Sequence, residues 1–233
     1  MKQECPHPHR VTVLTLDLSK PYECFEKAKD LNLKELDYLY NNGGVSQLSL
    51  FTETDFDTVE QIINTNTLGQ IFLIKALLPA LKESRGKIVN ICAIAGKMGM
   101  TMRSIVSASK SALAGFSNAL RAEVKPYGVS VFTMYPDHVK TNIAKNACSG
   151  VFGRQVGINE KSIENGKGLP LICDRIIRAV AYEETEYYLW SSMYQLLAGR
   201  LAPLSNMIES KVGELDYKSQ LQNVAQVQAR ALR

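Results

Sequence analysis

Asparagine, glycine and lysine recur at three places where they could bind a ligand or steer a proton. Asn41-Asn42-Gly43-Gly44 directly follows a short apolar run, Asn66-x-x-Gly69 falls inside a long helical pattern, and Val106-Ser-Ala-Ser-Lys110 opens another. Ser107 and Lys110 also spell S-x-x-K, the spacing of a serine nucleophile with a lysine partner, and Lys140-Thr141 follows. Asn142 stands where that chemistry wants glycine and no Ser-Asp-Asn run exists, so a serine acyl-transfer reading is set aside. Cys5, His7 and His9 could ligate a metal, but the intervening prolines and terminal position argue for a disordered tail, and no metal site is expected. His138 reads as a solvent-exposed loop histidine.

These residues need elements to hold them. Short β-branched or apolar runs alternate with longer helical patterns, the signature of β-α-β units and a parallel sheet. Strands are predicted at Val11 to Leu16, Leu36 to Tyr40, Lys87 to Cys92, Val129 to Tyr135 and Glu186 to Trp190. Helices are predicted near 21–31, 55–82, 103–125 and 170–183, with Leu113, Phe116 and Leu120 forming an apolar stripe. Residues 144–169 carry five glycines and little periodicity, which predicts a long irregular excursion of the kind that often forms a lid. The expectation is one domain over 1–233, with 1–10 a disordered tail and 205–233 a C-terminal helical extension.

Composition narrows the function classes. With 45% hydrophobic and 21% charged residues, the 233-residue chain has the make-up of a soluble globular protein. A net charge of +4, spread without a basic run, makes nucleic acid a poor partner. Five well-separated cysteines suggest a reducing compartment rather than a disulfide framework. MKQECPHPHR lacks a signal-peptide core and no apolar window is long enough to span a bilayer, so a cytoplasmic location with at most peripheral membrane contact is expected.

The order and spacing of these segments, across roughly 11–205, resemble the short-chain dehydrogenase/reductases, and NNGGVSQ at Asn41 to Gln47 resembles one subgroup of them in particular. The resemblance implies a Rossmann-like α/β fold with a parallel sheet and flanking helices, sheet order 3-2-1-4-5-6-7, lacking here the first β-α-β of that fold. It implies NADP or NAD as cofactor and hydride exchange with steroid-, retinoid- or other carbonyl-type substrates. Members of this kind often sit at the endoplasmic reticulum membrane through an N-terminal segment. In the family a tyrosine four residues before the lysine protonates the carbonyl oxygen, and a serine thirteen residues earlier hydrogen-bonds it.

At those two positions this sequence has Val106 and Ala93. Lys110 and Asn66 are retained catalytic positions, while Asp17, Asn41, Lys110 and Thr141 match cofactor contacts. Asp137 replaces the glycine that would admit the nicotinamide, and no glycine-rich dinucleotide turn occurs, so weak or absent binding is expected. Neither Tyr127 nor Tyr135 is placed to substitute for the lost acid, and Cys92 should face away from the site.

Without strands one and two of the family, Val11 to Leu16 is expected to pair directly with Leu36 to Tyr40. The expected function is that of a catalytically silent relative, a pseudoenzyme or truncated form acting by association; the alternative is an active oxidoreductase using unconventional residues. Ile62, Ile63, Leu68, Phe72 and Leu77, with Leu113, Phe116 and Leu120, suggest surplus apolar surface for a homodimer or for pairing with a full-length sibling.

Overall fold

The computed structural model describes residues 7–189. Four strands, β1 (Tyr38–Asn41), β2 (Lys87–Ile91), β3 (Ser130–Pro136) and β4 (Glu186–Leu189), form one parallel sheet in the order β1-β2-β3-β4. Each strand is joined to the next by a helical crossover, the connection a parallel pair requires. Helices α1 (Pro21–Asp30), α2 (Phe56–Ile63), α3 (Gly69–Ser84), α4 (Ser104–Val124), α5 (Lys161–Glu164) and α6 (Leu169–Ala181) complete the described fold.

The central strands are rich in apolar residues because both their faces are covered. Ile88 and Val131 pack with Leu77, Leu81, Leu120 and Val124 of α3 and α4, and with Ala28 of α1. On the opposite face Val89, Phe132 and Met134 meet Ala179 and Val180 of α6. β1 is different: Leu39 packs inward while Tyr38 and Tyr40 stay 51% and 43% exposed and stack on each other.

Local chemistry sets the helix ends. The Asp55 carboxylate accepts the Thr58 amide at 2.8 Å and starts α2. Arg85 closes α3 in the left-handed region at φ +52°, and Gly128, at φ +75°, turns the chain from α4 into β3.

Several expectations change. Val11 to Leu16 is not a strand: it pairs with nothing, and Val13 and Leu14 stand in solvent. A strand exists only through a ladder partner, and Leu18 anchors this segment elsewhere, against Gly43 and Gly69. A Cβ on Gly69 would lie 2.4 Å from the Leu18 carbonyl oxygen, so only glycine permits that approach. The helix expected over 55–82 is interrupted by a π-helical turn, Asn64–Leu68, which separates α2 from α3. The excursion after β3 contains α5 and three isolated backbone bridges.

The apolar stripes expected to seek a partner are largely consumed within the chain. Ile62, Leu77, Leu113 and Leu120 are buried in its own clusters, and Phe72 packs edge-on against Tyr22 and Phe25 of α1. Trp190, the 205–233 extension and residues 1–6 lie outside the described residues.

Candidate functional site

The retained residues meet beneath the turn that follows β1. Asn42, Gly43 and Gly44 are exposed, and under Gly44 lie Asn66 and Lys110: a Cβ there would stand 2.9 Å from Asn66 Oδ1 and 3.4 Å from Lys110 Nζ. The absence of a side chain at Gly44 is therefore what lets the two functional groups sit against this turn.

Asn66 belongs to the π turn and is fully buried. Its Oδ1 accepts the Val45 amide at 2.8 Å, and its Nδ2 donates to the Val45 carbonyl at 3.0 Å and to Ser109 Oγ at 3.1 Å. The side chain thus clamps the strand-to-helix crossing to α4. Lys110 donates to the Ile91 carbonyl at 2.8 Å, and burial holds its amine below the ordinary lysine value.

The Asn41 side chain is buried. Its amide donates to Asn90 Oδ1 at 2.9 Å, Asn90 donates to Ser117 Oγ at 2.8 Å, and Ser117 donates to the Leu113 carbonyl at 2.7 Å. This buried polar chain ties β1 and β2 to α4. Asp17 and Thr141 bond within their own turns. The Ser19 hydroxyl and amide, at 2.7 and 3.0 Å, hold the Asp17 carboxyl below its usual range, while Thr141 Oγ1 lies 3.4 Å from both the Val139 carbonyl and the Ile143 amide.

Ala93 lies just beyond β2 with φ +55° and ψ 169°, a conformation that costs an L residue about 1–3 kcal/mol. The backbone kinks at this residue, whose side chain is a methyl group. Val106 is packed with Ile62, Ala95 and Cys148, with Val45, Met100 and Ile105 around them. Cys92 lies in a separate buried cluster with Leu113, Ala114 and Tyr135, and burial pushes its thiol up to about 12. Tyr135 is fully buried with no partner for its hydroxyl, and burial raises its pKa.

For a nicotinamide dinucleotide the fit is incomplete. By the family resemblance the Asp137 position is that of a glycine that admits the nicotinamide, and here a carboxylate with 6% of its side chain exposed lies 2.7 Å from His138 Nδ1. Val106 and Ala93 supply no proton to a reacting oxygen.

Sequence reasoning missed three structural residues. Gln47, fully buried, accepts the Ile105 amide at the start of α4 at 3.2 Å and donates to Ser49 and Thr54, both at 3.0 Å. It lies within NNGGVSQ, so the motif flagged it without revealing its task. Arg103 and Glu160 form a buried ion pair that no local pattern signals.

Comparison with known proteins agrees with this architecture. The short chain dehydrogenase family matches residues 1–150. Dehydrogenase/reductase SDR family member 7B of Xenopus laevis is 33% identical over 189 residues, covering 80% of this chain and 58% of that protein. Dehydrogenase/reductase SDR family member 7 of Mus musculus is 41% identical over 141 residues, covering 59% of this chain and 42% of that protein. The chain thus spans about half the length of the curated relatives it matches.

Among solved structures, a short-chain dehydrogenase from Streptomyces avermitilis superposes with a TM-score of 0.71 at 26% identity, over 89% of this chain and 82% of that one. A Burkholderia cenocepacia short-chain dehydrogenase in complex with NADP shares the fold, with a TM-score of 0.68 at 22% identity, over 87% of this chain and 78% of that one. A parallel sheet in this strand order, the Asn66 and Lys110 positions beneath a glycine turn, and a family match across more than half of the residues lead to one assignment: the chain belongs to the short-chain dehydrogenase/reductase family.

Proposed function

We propose that this chain is a non-catalytic member of its family and acts by association. The observation that carries the reading is Val106, which stands four residues before Lys110 and is sealed in an apolar cluster with Ile62, Ala95 and Cys148. No proton donor stands at that position, and the kinked Ala93 has no hydroxyl to offer. Loss of a general acid lowers a rate by ~10²–10⁴. Loss of an oxyanion donor lowers it by a further ~10²–10³. By the family resemblance Asp137 stands where glycine would admit the nicotinamide of NADP or NAD, and a bulkier, negatively charged side chain there weakens binding as well.

For association, α4 offers a face of small exposed residues: Ala108, Ser111, Ala112, Gly115, Ala119 and Ala122. Such a face lets another helix approach closely, and it suits a second copy or a full-length relative. Among the described residues no helix is long and apolar enough to cross a membrane.

Two experiments test the reading. Fluorescence titration with NADPH and NADH should give dissociation constants weaker than millimolar, and the double variant Ala93→Ser, Val106→Tyr should show no turnover; micromolar binding, or hydride transfer by the native chain, overturns the non-catalytic assignment. Sedimentation velocity should show a dimer that Gly115→Arg converts to monomer, because a side chain at Gly115 meets nothing within 4 Å inside the chain itself. A monomeric native chain, or a dimer indifferent to Gly115→Arg, removes association through α4.

A further inference from the structure

We propose that an exposed aromatic patch around Asp55 is a docking surface for another protein, and that its partner presents a segment with apolar anchors flanked by lysine or arginine. Two stretches of chain build the patch. Phe51 and Phe56, from the 3₁₀ turn Phe51–Glu53 and the first residue of α2, are 66% and 92% exposed. Val151 and Phe152, from the excursion after β3, are 46% and 54% exposed. Together these side chains offer about 400 Å² of apolar surface to solvent, within the range where such a patch marks a binding site.

The backbone beneath the patch is pinned. The Asp55 amide donates to the Gly150 carbonyl at 2.9 Å and the Phe152 amide donates to the Asp55 carboxylate at 2.7 Å, so the two stretches meet at one residue. Gly150 lies at φ +93°, and a Cβ there would stand 2.8 Å from the Glu53 carbonyl oxygen, so only glycine permits the contact. Just before it, the Cys148 amide donates to the Ser46 carbonyl at 2.8 Å and the Leu48 amide donates to the Cys148 carbonyl at 2.9 Å. Just after it, the Arg154 amide donates to the Val151 carbonyl at 3.0 Å, which folds Val151 and Phe152 into a turn. Aromatic side chains on fixed backbone lose little freedom when a partner covers them, which is what a binding anchor requires.

Charge selects the partner. Over 51–60 the chain carries Glu53, Asp55, Asp57 and Glu60 without a basic residue, and over 149–155 it adds one cation, Arg154. Hydrogen bonds from Thr58 and from the Phe152 amide hold the Asp55 carboxyl below its usual range, so it stays ionised. Exposed carboxylates thus surround an apolar centre on a chain whose net charge is +4. Anionic lipid headgroups would be repelled by them. A second copy bound about a twofold axis would set like charges against each other. A basic segment with apolar anchors matches both parts of the surface, its anchors covering the rings and its cations meeting the carboxylates. The patch uses no residue of α4, so this inference stands apart from association through that helix.

The test uses the full chain and three fluorescein-labelled synthetic peptides: one with leucine and phenylalanine at helical spacing among lysines, one with glutamate for each lysine, and one with serine for each apolar residue. Fluorescence anisotropy should show saturable binding of the first alone. Phe56→Ser and Phe152→Ser, which change side chains already in water, should each weaken it by at least about 10-fold. Asp57→Asn with Glu60→Gln should weaken it and flatten its dependence on salt. Gly115→Arg should bind the lysine peptide as the native chain does; loss of binding there places the site on α4 and overturns the proposal. So does the absence of binding, equal binding of the glutamate peptide, or binding unmoved by both phenylalanine variants. Two further results overturn it by naming another occupant. Co-sedimentation with phosphatidylcholine–phosphatidylserine vesicles that Phe56→Ser abolishes assigns the patch to a membrane, and a dimer that Phe56→Ser converts to monomer assigns it to a second copy.

Discussion

Replacing Asn66 by alanine should cost far more than an ordinary helix substitution, because the side chain holds three bonds where water has little access. The Val45 amide and carbonyl meet it at 2.8 and 3.0 Å, and Ser109 Oγ at 3.1 Å. Each such bond contributes about 1 kcal/mol net, and a backbone group left buried without a partner adds about 1–3 kcal/mol. Val45 is only half-buried, so part of that penalty is recovered by water, and alanine returns about 0.5 kcal/mol of helix propensity. The expected loss is about 3–4 kcal/mol, a large fraction of the roughly 5–15 kcal/mol that stabilises a typical domain.

Urea unfolding followed by far-ultraviolet circular dichroism measures this loss as a lowered midpoint. Ser109→Ala, which removes the bonds to Asn66 and to the Val106 carbonyl, should cost about 1 kcal/mol as a comparison. Asn66→Asp discriminates further: its second carboxylate oxygen would face the Val45 carbonyl and Ser109, so protonation is favoured in the folded state and stability should recover as pH falls. A loss below about 1 kcal/mol for Asn66→Ala would refute the view that this residue is retained for its clamp.

Two further outcomes follow from buried groups. Tyr135→Phe removes a hydroxyl that is buried without a partner while keeping the ring stacked 4.9 Å from Tyr188, so thermal unfolding should show equal or higher stability. Burial raises the Cys92 thiol from 9.0 to about 12, so on raising pH the unfolded chain releases this proton first and folding stability falls from pH 9 toward 12. The decline should be shallower in Cys92→Ala, measured by urea midpoints across that range, and equal slopes would contradict the assignment.

The elements that were legible are those whose evidence is local. Lys87 to Cys92 and Val129 to Tyr135 are rich in apolar residues because both faces of these strands are covered, and burial of that kind leaves its mark on most residues of the run. The long helices announced themselves by apolar residues at three and four. Val11 to Leu16 is as apolar and β-branched as the true strands, yet it forms none, since a strand depends on a neighbouring backbone that no local pattern records. The π turn at Asn64–Leu68 was illegible for a similar reason: the bonds from Asn66 to Val45 and Ser109 come from distant segments.

At the site, residue identity was readable and residue partnership was not. The sequence alone determined that residues 93 and 106, which the family resemblance aligns with a serine and a tyrosine, are alanine and valine, because chemical groups are properties of single residues. Only the tertiary structure decided that Asn41 turns inward to Asn90, that Cys148 closes over Val106, and that Arg103 finds Glu160. Those pairings bring together residues far apart in the chain, and each depends on the packing of the helices and of the excursion after β3 around the sheet.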